Sequence, residues 1–158
     1  MQWNLSSRWG SLDDASRPLI YIANRARIAG DTIGALLTIE GFRTTIGQSE
    51  AALFAALIIT TPDVVVLDES IGRNFGLGAL AGLRRAYPNL PVILTASADA
   101  LGISAEAAAI GARELIVKPV DAERLLQAII AALGQADDEQ ADDDEGGVDR
   151  QWRNPQTR

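Results

Sequence analysis

The chain has 158 residues, room for one ordinary domain, and its 47% hydrophobic and 22% charged composition is that of a soluble chain able to bury a core. It contains no Cys and no His, which excludes disulfides, zinc thiolates, thiol catalysis, imidazole metal ligands and any Ser-His-Asp triad. The net charge of −7 is uneven, with −5 on residues 135–158 and −2 on residues 1–134, so no basic stripe suits a nucleic acid.

Residues 1–17 show no sustained period, carry two of the three Trp, and read as an irregular arm. Met1–Gly10 is too polar for a signal peptide. Leu19–Ala23 reads as a strand, and Ile28, Ile33, Leu36, Leu37 and Ile39 follow at mostly helical spacing until Gly41. Arg43–Ile46 is a weak second strand, and Ser49–Thr60 a helix with Ser49 as N-cap. That helix holds the longest apolar run, Ala51–Ile59, far short of a membrane span. Val64–Leu67 is a β-branched run of the kind buried on both faces. Leu77–Tyr87 is helical and closed by Pro88; Pro91–Thr95 is a fourth strand. Ser104–Ile110 is a helix ended by Gly111, and Glu114–Val117 a fifth strand. Asp121–Leu133 is the last helix, with Asp121 as N-cap and Gly134 beyond its end. Residues 135–158 are acidic and too poor in apolar groups to fold, so they are expected to be disordered. Residues 18–134 form the domain.

Five strands alternating with five helices predict a parallel sheet with helices on both faces. In such sheets the functional crevice lies at the carboxyl ends of the strands. Asp68 closes the most apolar strand, Thr95 or Ser97 ends the fourth, and Lys118 closes the fifth. A carboxylate, a hydroxyl and an ammonium thus converge on one edge. Lys118 is the only Lys beside thirteen Arg. A bias toward Arg explains the ratio; that one Lys survives hints that Arg would not serve there. The run GLGALAG (76–82) could suggest a dinucleotide-binding turn, but it lies eight residues past a middle strand and no acid closes the next one.

These segments, PDVVVLD, Gly76, PVILTAS, IGARELIVKP and DAERLLQAIIAAL, resemble the receiver domain of two-component response regulators. The resemblance spans about residues 18–134 and implies a (βα)5 flavodoxin-like fold with strand order 2-1-3-4-5. It implies that Asp68 accepts a phosphoryl group from a phosphohistidine donor. Lys118 and Thr95 would meet the phosphoryl oxygens, with Ser97 in reserve because ungapped counting from Lys118 lands on Ala96. It implies a cis bond before Pro119, and Mg²⁺ held by Asp68 and the backbone of Ser70. The partners it implies are a sensor histidine kinase or phosphotransfer protein and a downstream protein, with no nucleic acid and no membrane. The face of the last helices would meet partners or a second copy, as a homodimer. A cytoplasmic, single-domain, non-enzymatic signalling protein is expected, catalysing at most its own phosphorylation and dephosphorylation.

Three departures stand against the pattern. The two acids that close the family's first strand fall on Asn24 and Arg25, so Mg²⁺ is expected to bind weakly if at all. Arg25 reads either as a solvated residue or as a cation replacing the metal's charge. The loop after Asp68 reads ESIGRNFG in place of a Met-Pro pair, and Leu115 takes the place of an aromatic switch residue. A pseudo-receiver that acts as a binding adaptor without phosphorylation is the alternative.

Overall fold

The computed structural model describes residues 12–134. Five strands, β1 (Leu19–Ala23), β2 (Arg43–Gly47), β3 (Val64–Asp68), β4 (Val92–Ala96) and β5 (Glu114–Val117), form one parallel sheet in the order β2-β1-β3-β4-β5. The helices are α1 (Arg27–Ile39), α2 (Glu50–Ile59), α3 (Leu77–Ala86), α4 (Ser104–Ile110) and α5 (residues 122–134). This is the flavodoxin-like arrangement, whose strand order reverses beside β1 and β3.

Strand periodicity divides the core into two layers. Ile20, Ile22, Val64, Val66, Ile93 and Ile116 pack with Leu37 of α1 and Leu125 and Ile129 of α5. The intervening residues Tyr21, Ala23, Val65, Leu67, Val92 and Leu94 pack with Leu53 and Leu57 of α2, Leu80 and Leu83 of α3, and Ala107 of α4. All five residues of β3 and of β4 are buried, which explains their unbroken apolar runs. Asp68, Thr95 and Lys118 continue the parity of Val66, Ile93 and Ile116, so the polar strand ends fall on the α1/α5 side.

Local chemistry sets the boundaries. The Ser49 hydroxyl accepts the Ala52 N–H at 3.0 Å and starts α2. Gly41 (φ 98°) and Gly111 (φ 124°) follow the ends of α1 and α4 in backbone that favours glycine. α1 sits close on β2 because Gly30 and Gly34 face Ile46: a methyl at Gly34 would stand 2.8 Å from Ile46 Cδ1.

Several expected boundaries shift. β2 runs to Gly47, β3 includes Asp68, and β4 spans Val92–Ala96 rather than Pro91–Thr95, because ladder pairing carries each strand farther toward the crevice. Thr60 and Tyr87 cap α2 and α3 rather than belong to them. Residue 134 lies within α5, not beyond it. Two 3-10 turns, Asp14–Ser16 and Ala98–Ile103, are too short to carry a periodic pattern and add to the expected elements. Most of the expected N-terminal arm (1–11) and the acidic tail (135–158) lie outside the described residues. Among the described residues, no helix is long and apolar enough to cross a membrane.

Candidate functional site

Register brings the site together. Asp68 is the direct ladder partner of Thr95 across β3 and β4. The Thr95 hydroxyl donates to Asp68 Oδ1 at 2.8 Å, both side chains being buried. Beyond β5, the Lys118 N–H donates to the Ala96 carbonyl at 2.8 Å, and the Lys118–Pro119 peptide bond is cis. Lys118 Nζ stands 2.9 Å from Asp68 Oδ1. The other carboxylate oxygen, Oδ2, accepts the Ser70 N–H at 3.0 Å. Every Asp68 oxygen is therefore met by a donor of the chain itself.

Electrostatics follow from this shell. Burial pushes the Asp68 carboxyl up, but the bonds from Ser70, Lys118 and Thr95 outweigh it and hold the group below the usual carboxylate range. Burial alone would push the Lys118 ammonium down; Asp68 and Glu69 overcome that and raise it. A buried anion and a partly exposed cation thus keep each other charged.

The other expected residues sit differently. Asn24 is buried at the end of β1, but its Oδ1 accepts the Ala26 N–H at 2.9 Å in a turn that opens α1. Arg25 is exposed, and its backbone N–H donates to Ser70 Oγ at 3.1 Å. Ser97 does not reach Asp68 through any hydrogen bond; its N–H donates to Glu69 Oε1 at 2.8 Å. Leu115 is half-buried on the opposite face of the sheet, packed against the α2–α4 layer. Glu69, not singled out as a site residue, is drawn in: its Oε1 lies 3.4 Å from Lys118 Nζ.

A cleft of about 600 Å³ opens over these groups between α1 and the segment after β5. Asn24, Asp68, Ser70, Thr95 and Lys118 supply its polar floor, and Ala29, Ile33, Leu36 and Val120 its apolar walls. An apolar cleft with a few convergent polar groups is the usual form of a functional site.

The resemblance implies Mg²⁺ beside Asp68, and these residues do not fit that ion. Mg²⁺ demands octahedral oxygen ligands and carboxylate charge. Here Asn24 Oδ1 is committed to a backbone amide, an Arg follows it, and Lys118 already stands on Asp68. Among the described residues, no group of three acidic side chains gathers to hold a metal.

The profile of the response regulator receiver domain matches residues 20–130. The chain is 37% identical over 68 residues to the chemotaxis protein CheY of Listeria monocytogenes, covering 43% of this chain and 57% of that one. It is 29% identical over 104 residues to the transcriptional regulatory protein GlrR of Escherichia coli, covering 66% of this chain and 23% of that one. The matches thus span little more than half of CheY and about a quarter of GlrR. A receiver domain protein of Clostridium thermocellum shares the fold, with a TM-score of 0.70 at 24% identity over 75% of this chain and 95% of that one. The receiver domain of NtrX from Brucella abortus superposes with a TM-score of 0.68 at 26% identity, over 73% of this chain and 98% of that one. With the fold, the strand order and the family profile in agreement over most of the body, this chain belongs to the response regulator receiver domain family.

Proposed function

We propose that this chain receives a phosphoryl group on Asp68 from a phosphohistidine of a sensor kinase or phosphotransfer protein and signals through protein contacts. The observation that carries the reading is Asp68 at the crevice end of β3, in register with Thr95 and 2.9 Å from Lys118 Nζ. In the transfer an Asp68 oxygen attacks phosphorus in line, and the phosphorus–nitrogen bond breaks. The electron pair stays on the imidazole nitrogen, and Asp68 becomes an acyl phosphate. Lys118 moves from the carboxylate to the phosphoryl oxygens, where a compact ammonium on a flexible stem serves better than a forked guanidinium. The Thr95 hydroxyl and the Ser70 N–H are donors beside the forming bond. Arg25, exposed two residues past β1, would supply the positive charge that the missing acid pair would otherwise gather as metal.

A second reading, the phosphorylation-independent adaptor, is favoured by the poor fit to Mg²⁺ and by the complete set of donors already on Asp68. Intact mass after incubation with a small phosphodonor separates the two. One phosphoryl adduct on the wild type and none on Asp68→Asn supports the acceptor. No adduct on the folded wild type, with a donor protein or without one, supports the adaptor.

A further inference from the structure

We propose that Glu69 shares, in the resting chain, the Lys118 ammonium that an oxyanion arriving on Asp68 requires, so that phosphorylation here exchanges one anion for another on Lys118 and frees the segment after β4. The inference rests on the acceptor reading of Asp68.

Glu69 directly follows β3, and strand alternation alone would send its side chain to the face opposite Asp68. The backbone continues the ladder, Glu69 N–H donating to the Thr95 carbonyl at 2.8 Å, and past the last strand pairing the side chain nevertheless reaches Ser97 and Lys118 at the crevice. Its Oε1 accepts the Ser97 N–H at 2.8 Å and stands 3.4 Å from Lys118 Nζ. Its Oε2 is buried without a hydrogen-bond partner, and the side chain is only 14% exposed. Two adjacent carboxylates therefore share one ammonium: among the described residues, the ion pairs of both are with Lys118.

That arrangement is poised against a third negative group. An orphaned carboxylate oxygen in a buried place is costly, and the shared Lys118 offsets part of that cost. A phosphoryl group on Asp68 replaces a single charge by a dianion with three acceptor oxygens and draws Lys118 to itself. Glu69 then loses its cation and meets stronger like-charge repulsion. It leaves the crevice and releases the Ser97 N–H, the first link of the 3-10 turn Ala98–Ile103. Glu69 acts through Lys118 and Ser97; it is a positioning residue.

The test uses the full chain, with phosphoramidate as donor, intact mass for the adduct and amide hydrogen exchange at Ser97. Glu69→Gln keeps the shape and removes the charge; Glu69→Ala removes the acceptor. The expected results are an adduct forming at least fivefold faster on Glu69→Gln, and a Ser97 amide exchanging at least tenfold faster in both Glu69→Ala and the phosphorylated wild type. Equal or slower reaction of Glu69→Gln, beside a reacting wild type, overturns this inference and leaves the acceptor reading standing. A Ser97 amide as protected in folded Glu69→Ala as in the wild type overturns it too. No adduct on the wild type, with a phosphohistidine donor protein supplied as well, refutes the acceptor reading itself, and the exchange of anions with it. Should Glu69→Ala not fold, the Gln variant and the phosphorylated wild type decide.

Discussion

Lys118→Met removes the ammonium from a buried carboxylate and keeps most of the stem. Asp68 is 3% exposed and Lys118 38% exposed. Breaking a fully buried pair costs about 3–5 kcal/mol. An exposed pair is worth about 0–1 kcal/mol. Lys118 is more than a third exposed and screened by water, and Thr95 and Ser70 still donate to Asp68. The expected loss at pH 7 is therefore about 1–2 kcal/mol, a fall in Tm of roughly 3–8 °C. The folded Asp68 pKa lies below its unfolded value of about 3.9, so its contribution is full above that value and is lost as pH falls through the folded pKa. The folded Lys118 pKa lies above about 10.4, so its contribution is full below that value and is lost as pH rises through the folded pKa. Urea unfolding at pH 7, and again in acid below the folded Asp68 pKa, measures the difference between wild type and Lys118→Met. The gap should shrink in acid. In an Asp68→Asn background the same substitution should cost less than about 0.5 kcal/mol, because only the Glu69 pairing remains. A Met variant as stable as the wild type at pH 7, or a cost undiminished by Asp68→Asn, refutes the reasoning.

Other outcomes follow from the same geometry. Thr95→Ala leaves Asp68 Oδ1 with Lys118 alone and should cost about 1–2 kcal/mol, most of it recovered by Thr95→Ser in chemical denaturation. A methyl at Gly47 would overlap the Tyr21 hydroxyl, so Gly47→Ala should cost about 1–3 kcal/mol, with part of the loss recovered when Tyr21→Phe is added in a double-mutant cycle. Titration calorimetry with Mg²⁺ should give no saturable heat on the wild type. The double variant Asn24→Asp/Arg25→Asp, which restores two carboxylates at the end of β1, should bind the ion.

The body of the fold was legible because its strands announce themselves physically. PDVVVLD is β-branched and bounded by turn residues, and a parallel strand covered on both faces needs that composition. The alternation of βα units then places the crevice at the carboxyl ends of the strands. The choice between Thr95 and Ser97 stayed open because both lie on the same parity; the Asp68–Thr95 ladder pairing separates them, and pairing register is not written in either strand alone. Glu69 was legible as a crevice position directly after the third strand, but not as a partner of Lys118. Strand alternation points it away from Asp68, and its approach to Lys118 comes with the tertiary bond to the Ser97 N–H, which no local pattern announces. Asn24 was legible as a position but not as an orientation, since the Asx turn that binds its oxygen forms only where α1 begins. The 3-10 turn Ala98–Ile103 is too short for a periodic signal.

The central claim is that Asp68 takes a phosphoryl group in a site completed by the chain's own cations. Intact mass of the wild type and of Asp68→Asn, each incubated with phosphoramidate in EDTA and in Mg²⁺, tests it most directly. The account predicts one phosphoryl adduct on the wild type at comparable rates in both buffers, and none on Asp68→Asn. An adduct that forms only with Mg²⁺ contradicts the substitution of Arg25 and Lys118 for the metal. No adduct on folded wild type in either buffer, even with a phosphohistidine donor protein supplied, contradicts the claim itself.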